Sequence, residues 1–332
     1  MIEIKDVAGL SKPLTRLIEV LSAGVGAVSA PYLLKKAAEA QAYQIKTIAG
    51  ALSVVAESYQ LPVTFKDGKV EVWQRPEDNT LSLEPVTDVE RARRRIDYQE
   101  RKGQFNIEQI TSYAAGDLNS EEDVSEESPS EDWITRFFEA AETVSSEEMQ
   151  LLWGKILAGE VKSPGSYSLK TLDFIRNLNK QDAGLIENLA RFRIASGPRR
   201  TIIVSGVEDV LNEQGINYTA IITLVELGIL YPDKLSFTLF EHEKEGSYYF
   251  LCGDKLLLMT AGSNVSMLRF DTWKYTRTGE ELLGLTPESN CVPYLEKIGA
   301  HVARQGYEVM LADFTGEKDG YITYRNQRQI SA

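Results

Sequence analysis

Side chains able to do acid–base, thiol or metal chemistry near neutral pH are scarce in this sequence. Its 332 residues hold two histidines, His242 and His301, and two cysteines, Cys252 and Cys291. A hydrolytic zinc site wants two or three converging His or Cys ligands, and no spacing here supplies them. His242 lies in Glu241-His242-Glu243-Lys244-Glu245-Gly246, the pattern of a charged hairpin tip. His301 lies in a helical stretch with Glu296 and Lys297 nearby. Cys291 with His301 is the one thiol–imidazole combination to weigh, and it has no local signature of a nucleophile. The cysteines have no CxxC partner, which fits a reducing compartment and argues against structural zinc. Carboxylates are too numerous for any pair to stand out. No catalytic residue, metal ligand or cofactor is assigned, and a non-enzymatic protein is expected.

Phosphate chemistry has three candidate sites. Gly24-Val25-Gly26-Ala27-Val28-Ser29 has the first two glycines of a dinucleotide fingerprint, but no strand precedes it and Ser29 stands at the third. Those glycines fit close helix packing better. Ile221 to Leu230, a hairpin, and then Tyr275 to Leu282 follow the order of a winged-helix module. The would-be recognition helix, Ile221-Ile222-Thr223-Leu224-Val225-Glu226-Leu227, has no Arg or Lys to meet phosphates or base edges. The third is the most suggestive: Arg91, Arg94, Arg95, Tyr98, Arg101 and Lys102 recur at three- and four-residue steps along one helix side. Such a stripe could hold the phosphates of nucleic acid or of an anionic leaflet. Glu90, Asp97 and Glu100 dilute it, so a solvated helix face is the plainer reading. A third reading folds the acidic segment that follows back onto it.

Residues 12–59 read as a helical region broken near Pro31. Leu14, Ile18, Leu21, Val25, Val28 and Tyr32 form one seam at alternating steps of four and three, and Ile45, Ile48, Leu52 and Val55 continue it. Ser22, Gly26 and Ala30 add small residues that let a second helix come close. The seam serves either two helices of one chain or self-association. Residues 61–85 read as a β-hairpin insert, with Leu81-Ser82-Leu83 as a possible third strand, and Thr87 with Glu90 as the start of a helix running to about Ala115 with a weak point at Gly103. Asp117, Glu121, Glu122, Asp123, Glu126, Glu127, Glu131 and Asp132 fall in a run without one basic residue, the pattern of a solvated linker. The whole chain carries 36 Lys and Arg against 49 Asp and Glu, a net charge of −13, so much of its acidity is local to this run and global attraction to nucleic acid is not expected.

The expected class is α+β: an N-terminal helical region with its hairpin (1–116), an acidic linker (117–132), a helical module (133–196) and a C-terminal mixed domain of short antiparallel strands (197–332). Within these, Ser145 with Glu148 reads as a capping box, Gly159 as a helix end, and Lys180 to Ala195 as one helix. The ends carry neither a secretory leader nor a lipidation box, so a cytoplasmic protein is expected. Leu14 to Leu34 is apolar but holds Glu19 and Pro31, which tells against a membrane span.

The run Glu131-Asp132-Trp133, Arg136-Phe137-Phe138, Val144 to Gln150, Leu152-Trp153-Gly154-Lys155-Ile156-Leu157-Ala158-Gly159-Glu160-Val161 and Pro164 to Leu169 resembles an uncharacterised bacterial domain-of-unknown-function family, the DUF2806-like proteins. Thr276-Arg277-Thr278-Gly279-Glu280-Glu281-Leu282 is similar to a C-terminal segment of the same group. Gly24-Val25-Gly26 with Pro31 to Ala37, Ala40 and Ala42 resembles the start of the abortive-infection alpha family. The resemblance implies a bacterial, prophage or phage-defence setting and supplies no catalytic residues. The leading expectation is therefore a self-associating interaction protein, a homo-oligomer that recognises a protein partner, phage-derived under that resemblance. Two alternatives stand beside it. One is an effector lying peripherally at the inner membrane through its N-terminal apolar helix, and the other is a nucleic-acid binder using Arg91, Arg94, Arg95, Arg101 and Lys102.

Overall fold

The computed structural model describes residues 11–25, 63–66, 69–72, 87–119, 121, 123–196, 199–203, 205–239, 246–261, 267–287, 289–318 and 321–332. The chain is α+β and divides into two compact units, 1–167 and 168–332. The acidic run at 117–132 falls inside the first unit, and the division comes at Tyr167/Ser168.

Helices build the first unit. Among the described residues they are α1 (Lys12–Val25), α2 (Asp88–Leu118), α3 (Glu131–Ala141) and α4 (Glu147–Lys162), with a hairpin of β1 (Val63–Lys66) and β2 (Lys69–Val72) in antiparallel register. Each of the three later helices starts on a hydroxyl cap. Thr87, Ser130 and Ser146 accept from the backbone N–H of Glu90, Trp133 and Met149, which satisfies one of the donors that a helix N-terminus leaves open. The cap of α4 is Ser146, one residue beyond the expected Ser145. Trp133 stacks on Phe137 at 4.9 Å between centroids, and Phe137 meets Trp153 at 5.1 Å, so α3 and α4 join through aromatic rings. Gly154 lets α4 approach α2: a Cβ there would lie 2.6 Å from Tyr113 Cβ and 3.2 Å from both Ala114 N and Ile110 O. Gly159 does not end its helix, which continues to Lys162. Its missing Cβ instead leaves room for the Tyr167 ring.

Leu14, Leu17, Ile18, Val20 and Leu21 are buried, and α1 packs on α2, α3 and α4. The first three seam positions thus have partners within the chain. Gly24 sits against the Phe138 ring, which accounts for a glycine there without any nucleotide. Val25 is half-buried; Val28, Tyr32, Ile45, Ile48, Leu52 and Val55 lie outside the described residues. No helix among the described residues is long and apolar enough to cross a membrane.

The second unit opens with α5 (Leu169–Arg176) and α6 (Lys180–Ala190), then β3 (Ile194–Ser196), β4 (Arg199–Ile203), α7 (Glu208–Glu213) and α8 (Tyr218–Glu226). It continues through β5 (Leu235–Leu239), β6 (Gly246–Cys252), β7 (Lys255–Ala261), β8 (Leu268–Lys274), α9 (Arg277–Leu283), α10 (Val292–Ala303), β9 (Glu308–Lys318) and β10 (Tyr321–Gln329). The expected helix from Lys180 to Ala195 stops at Ala190, because Ile194–Ser196 pairs with both β4 and β6. Eight strands form one antiparallel sheet in the order β10-β9-β7-β6-β3-β4-β8-β5. After α8 the chain makes no simple hairpin: β5 pairs with β8, and β6–β7 intervene in sequence. Phe250 and Phe270 meet edge-on under the sheet. Tyr294 of α10 reaches β4, where its hydroxyl donates to Ile203 O at 2.8 Å and accepts from Ile203 N–H at 2.7 Å.

Candidate anion-binding interface

Helix α2 has two halves with different surroundings. From Gly103 onward it is a core helix, with Ile107, Ile110, Ala114, Ala115 and Leu118 buried. From Asp88 to Lys102 no residue is buried. That exposed half is about 22 Å long at ~1.5 Å per residue. Its start is fixed by the Thr87 cap and by Asp88 and Glu90, whose charges favour a helix N-terminus. The helix runs unbroken through Gly103, where contact with Glu142 of the unit begins.

Six cations lie on this half, and all but Arg93 share one side. At ~100° per residue, Arg91, Arg94, Arg95, Arg101 and Lys102 fall within about a third of the helix circumference. Tyr98 shares that arc and is 65% exposed; Phe105, one heptad further along, is 57% exposed. Phe105 escaped the sequence reading, although an aromatic seven residues beyond Tyr98 on a cationic face was the available signal. Arg91 pairs with Asp88, and Arg94 Nη2 reaches Glu90 Oε1 at 2.6 Å. Arg101 donates to the Asp97 carbonyl at 3.1 Å. Both ion pairs are solvent-exposed, so they stabilise little and can be exchanged for a phosphate at small cost. Arg95 and Lys102 have no acidic partner among the described residues. No acidic side chain of the 117–132 run is paired with this stripe among the described residues.

That run is used elsewhere. Arg16 donates to Ser128 Oγ and to the Glu126 carbonyl, each at 2.7 Å, Ser125 N–H donates to Lys162 O, and Lys162 pairs with Glu121. The segment is a strap across the first unit.

The scarce chemical groups do not gather. Cys291 is the N-cap of α10 and His301 lies in its last turn. Ten residues along one helix separate them by ~15 Å, too far to pair. Burial pushes the Cys252 thiol up to about 11, which makes it a poor nucleophile, and Cys291 is buried as well. His242 lies outside the described residues. No three His, Cys, Asp or Glu side chains among the described residues are grouped to hold a metal ion. The exposed side of α8 presents Tyr218, Thr219, Ile222 and Glu226, with no cation.

The residues that suggested a family have structural work. Trp133 Nε1 donates to Tyr167 O at 2.8 Å, and buried Glu160 accepts from the N–H groups of Gly165 and Tyr167 at 2.7 and 3.0 Å. In the second unit Glu281 Oε2 accepts from Ser168 N–H, Ser168 Oγ and Thr171 Oγ1 at 2.7, 2.9 and 2.5 Å. Thr276 caps α9 and donates its hydroxyl to Gly228 O. These contacts build turns and helix starts in each unit. A family model described as a protein of unknown function, DUF2806, matches residues 90–299, well over half of the chain. The chain belongs to the DUF2806 family. No curated protein and no solved structure matches it. The DUF2806 match begins in the first turn of α2, so the whole basic stripe lies inside the family region, whereas α1 and the β1–β2 hairpin precede it.

Proposed function

We propose that this DUF2806 protein is a non-enzymatic interaction protein, and that the exposed half of α2 is its contact surface for the phosphodiester backbone of a nucleic acid. One observation carries the reading: five cations and exposed Tyr98 share one arc of a helix half that buries none of its residues, and exposed Phe105 extends that arc just beyond it. Guanidinium and ammonium groups there would release counterions from the phosphates, and Tyr98 and Phe105 would stack on unpaired bases. Local field matters more than net charge for such contact, because salt screens the distant carboxylates within about 10 Å.

The test is fluorescence anisotropy with single-stranded DNA, duplex DNA and single-stranded RNA over a salt series. The wild-type chain should bind at low salt and weaken steeply as salt rises. R91Q/R94Q/R95Q should flatten the slope of log K against log salt by about 2–3, near one for each phosphate that an arginine would otherwise neutralise. Absence of binding at low salt, or an unchanged slope in the variant, removes the proposal.

A second reading, self-association, is favoured by the other side of the same helix. The buried row of Gly103, Ile107, Ile110 and Ala114 continues toward the N-terminus as Ile96 and Val89, which are 50% and 79% exposed. The setting we attach to either reading is phage defence or prophage carriage, on the likeness of the 24–42 run to the abortive-infection alpha family. Bacteria expressing the chain should then plate phage less efficiently than bacteria expressing R91Q/R94Q/R95Q. Equal plating across a phage panel would take that setting away.

A further inference from the structure

We propose that two copies of this chain join edge to edge through β5, antiparallel about a two-fold axis at Phe237. The inference deepens the self-association reading and rests on it. The sheet of the second unit ends in two edges of unlike character. At β10 the register shifts twice, between Thr323 and Tyr324 and between Arg325 and Arg328. Asn326 there takes a φ of 54°, and Arg325 and Arg328 add charge. Bulges and charges of this kind blunt an edge against further pairing. Strand β5, at the opposite edge, has none of them. Its five residues pair with β8 in unbroken register from Leu235↔Thr272 to Leu239↔Leu268, and none is charged. Among the described residues β5 has no second strand neighbour. An unblunted edge offers its outward N–H and C=O groups to another strand.

The sequence of β5 says which strand fits. Leu235-Ser236-Phe237-Thr238-Leu239 has the same residue types in both directions. Antiparallel pairing about Phe237 sets Leu235 opposite Leu239 of the second copy, Ser236 opposite Thr238, and Phe237 opposite itself. Apolar residues meet apolar ones and hydroxyls meet hydroxyls, the matched cross-strand pairs that stabilise sheets, in the self-complementary form that a two-fold interface requires. The register also sets Ser236 opposite exposed Asp271 and Leu235 opposite buried Thr272. Ser236 Oγ donates to Asp271 Oδ1 at 2.6 Å. Leu235 is 46% exposed and Tyr231 just before it 45% exposed, so apolar surface borders the open edge.

Light scattering and sedimentation of the full chain, across a concentration series and without nucleic acid, test this. The wild type should move from one-chain to two-chain mass as concentration rises. S236K/T238K, which sets like charges opposite one another twice across the axis, should stay at one-chain mass with an unchanged circular dichroism spectrum. S236K/T238E, which sets opposite charges there, should recover the dimer. Independently of any variant, the β5 amides of the wild type should gain hydrogen-exchange protection with concentration. One-chain mass throughout, a dimer indifferent to S236K/T238K, or β5 protection that ignores concentration overturns the proposal. A dimer broken by V89E/I96E and not by S236K/T238K would overturn β5 while upholding self-association through α2.

Discussion

His301 gives the clearest single-residue consequence in the second unit. Its ring rests against Gly206, a turn position at φ +72° where any Cβ would collide with the imidazole. Burial, and then neighbouring Arg304, hold its pKa below the ordinary 6.5, with Glu208 opposing them. A group depressed in this way binds its proton more readily in the unfolded chain. The stability it contributes is therefore complete above pH 6.5 and is lost as pH falls through the folded-state value. The wild-type melting temperature should drop more steeply than that of H301Q on acidification from pH 6.5; parallel slopes would show that the contact carries no linkage. The carboxylates that matter are Glu160, which accepts from the amides of Gly165 and Tyr167 just beyond it, and Glu281, which accepts from the distant Ser168 and Thr171 and pairs with Arg277. Composition, with its many acids, gives no sign of which ones these are.

Helices and strands show what local pattern can reveal. The start of α2 at Thr87 and the β1–β2 hairpin were both legible, since each is specified by residues within a few positions of one another. The depth of the α2–α4 contact was not. Gly154 looks like an ordinary interior glycine in sequence, and only the helix crossing explains it. G154A adds a methyl facing Tyr113 Cβ and the backbone of Ile110 and Ala114, none of which can rotate away. Despite the better helix propensity of alanine, the variant should lose about 1–3 kcal/mol of stability from forced separation of the helices. Denaturant unfolding measures it; an unchanged or raised midpoint would mean that the crossing yields. Gly159 was misread for the same reason: the Tyr167 ring that fills its place comes from beyond the helix.

At the scale of the molecule, the α+β class was readable from the mixture of periods, whereas the strand order was not. Pairing β5 with β8 bridges about thirty residues and places β6 and β7 elsewhere in the sheet, a choice fixed by long-range packing. The candidate interface was legible as a stripe of cations, but not its standing clear of the core, which depends on where burial along α2 begins. The acidic run was legible in composition only. Its strap is held by Arg16 through a serine hydroxyl and a main-chain carbonyl, and by Ser125 through its amide, leaving the Glu126 and Glu127 side chains outside those contacts. Mutation can therefore add or delete acids at these two positions without disturbing an anchoring bond. The isoelectric point becomes an adjustable property, and solubility can drift across a lineage while the architecture beneath stays the same.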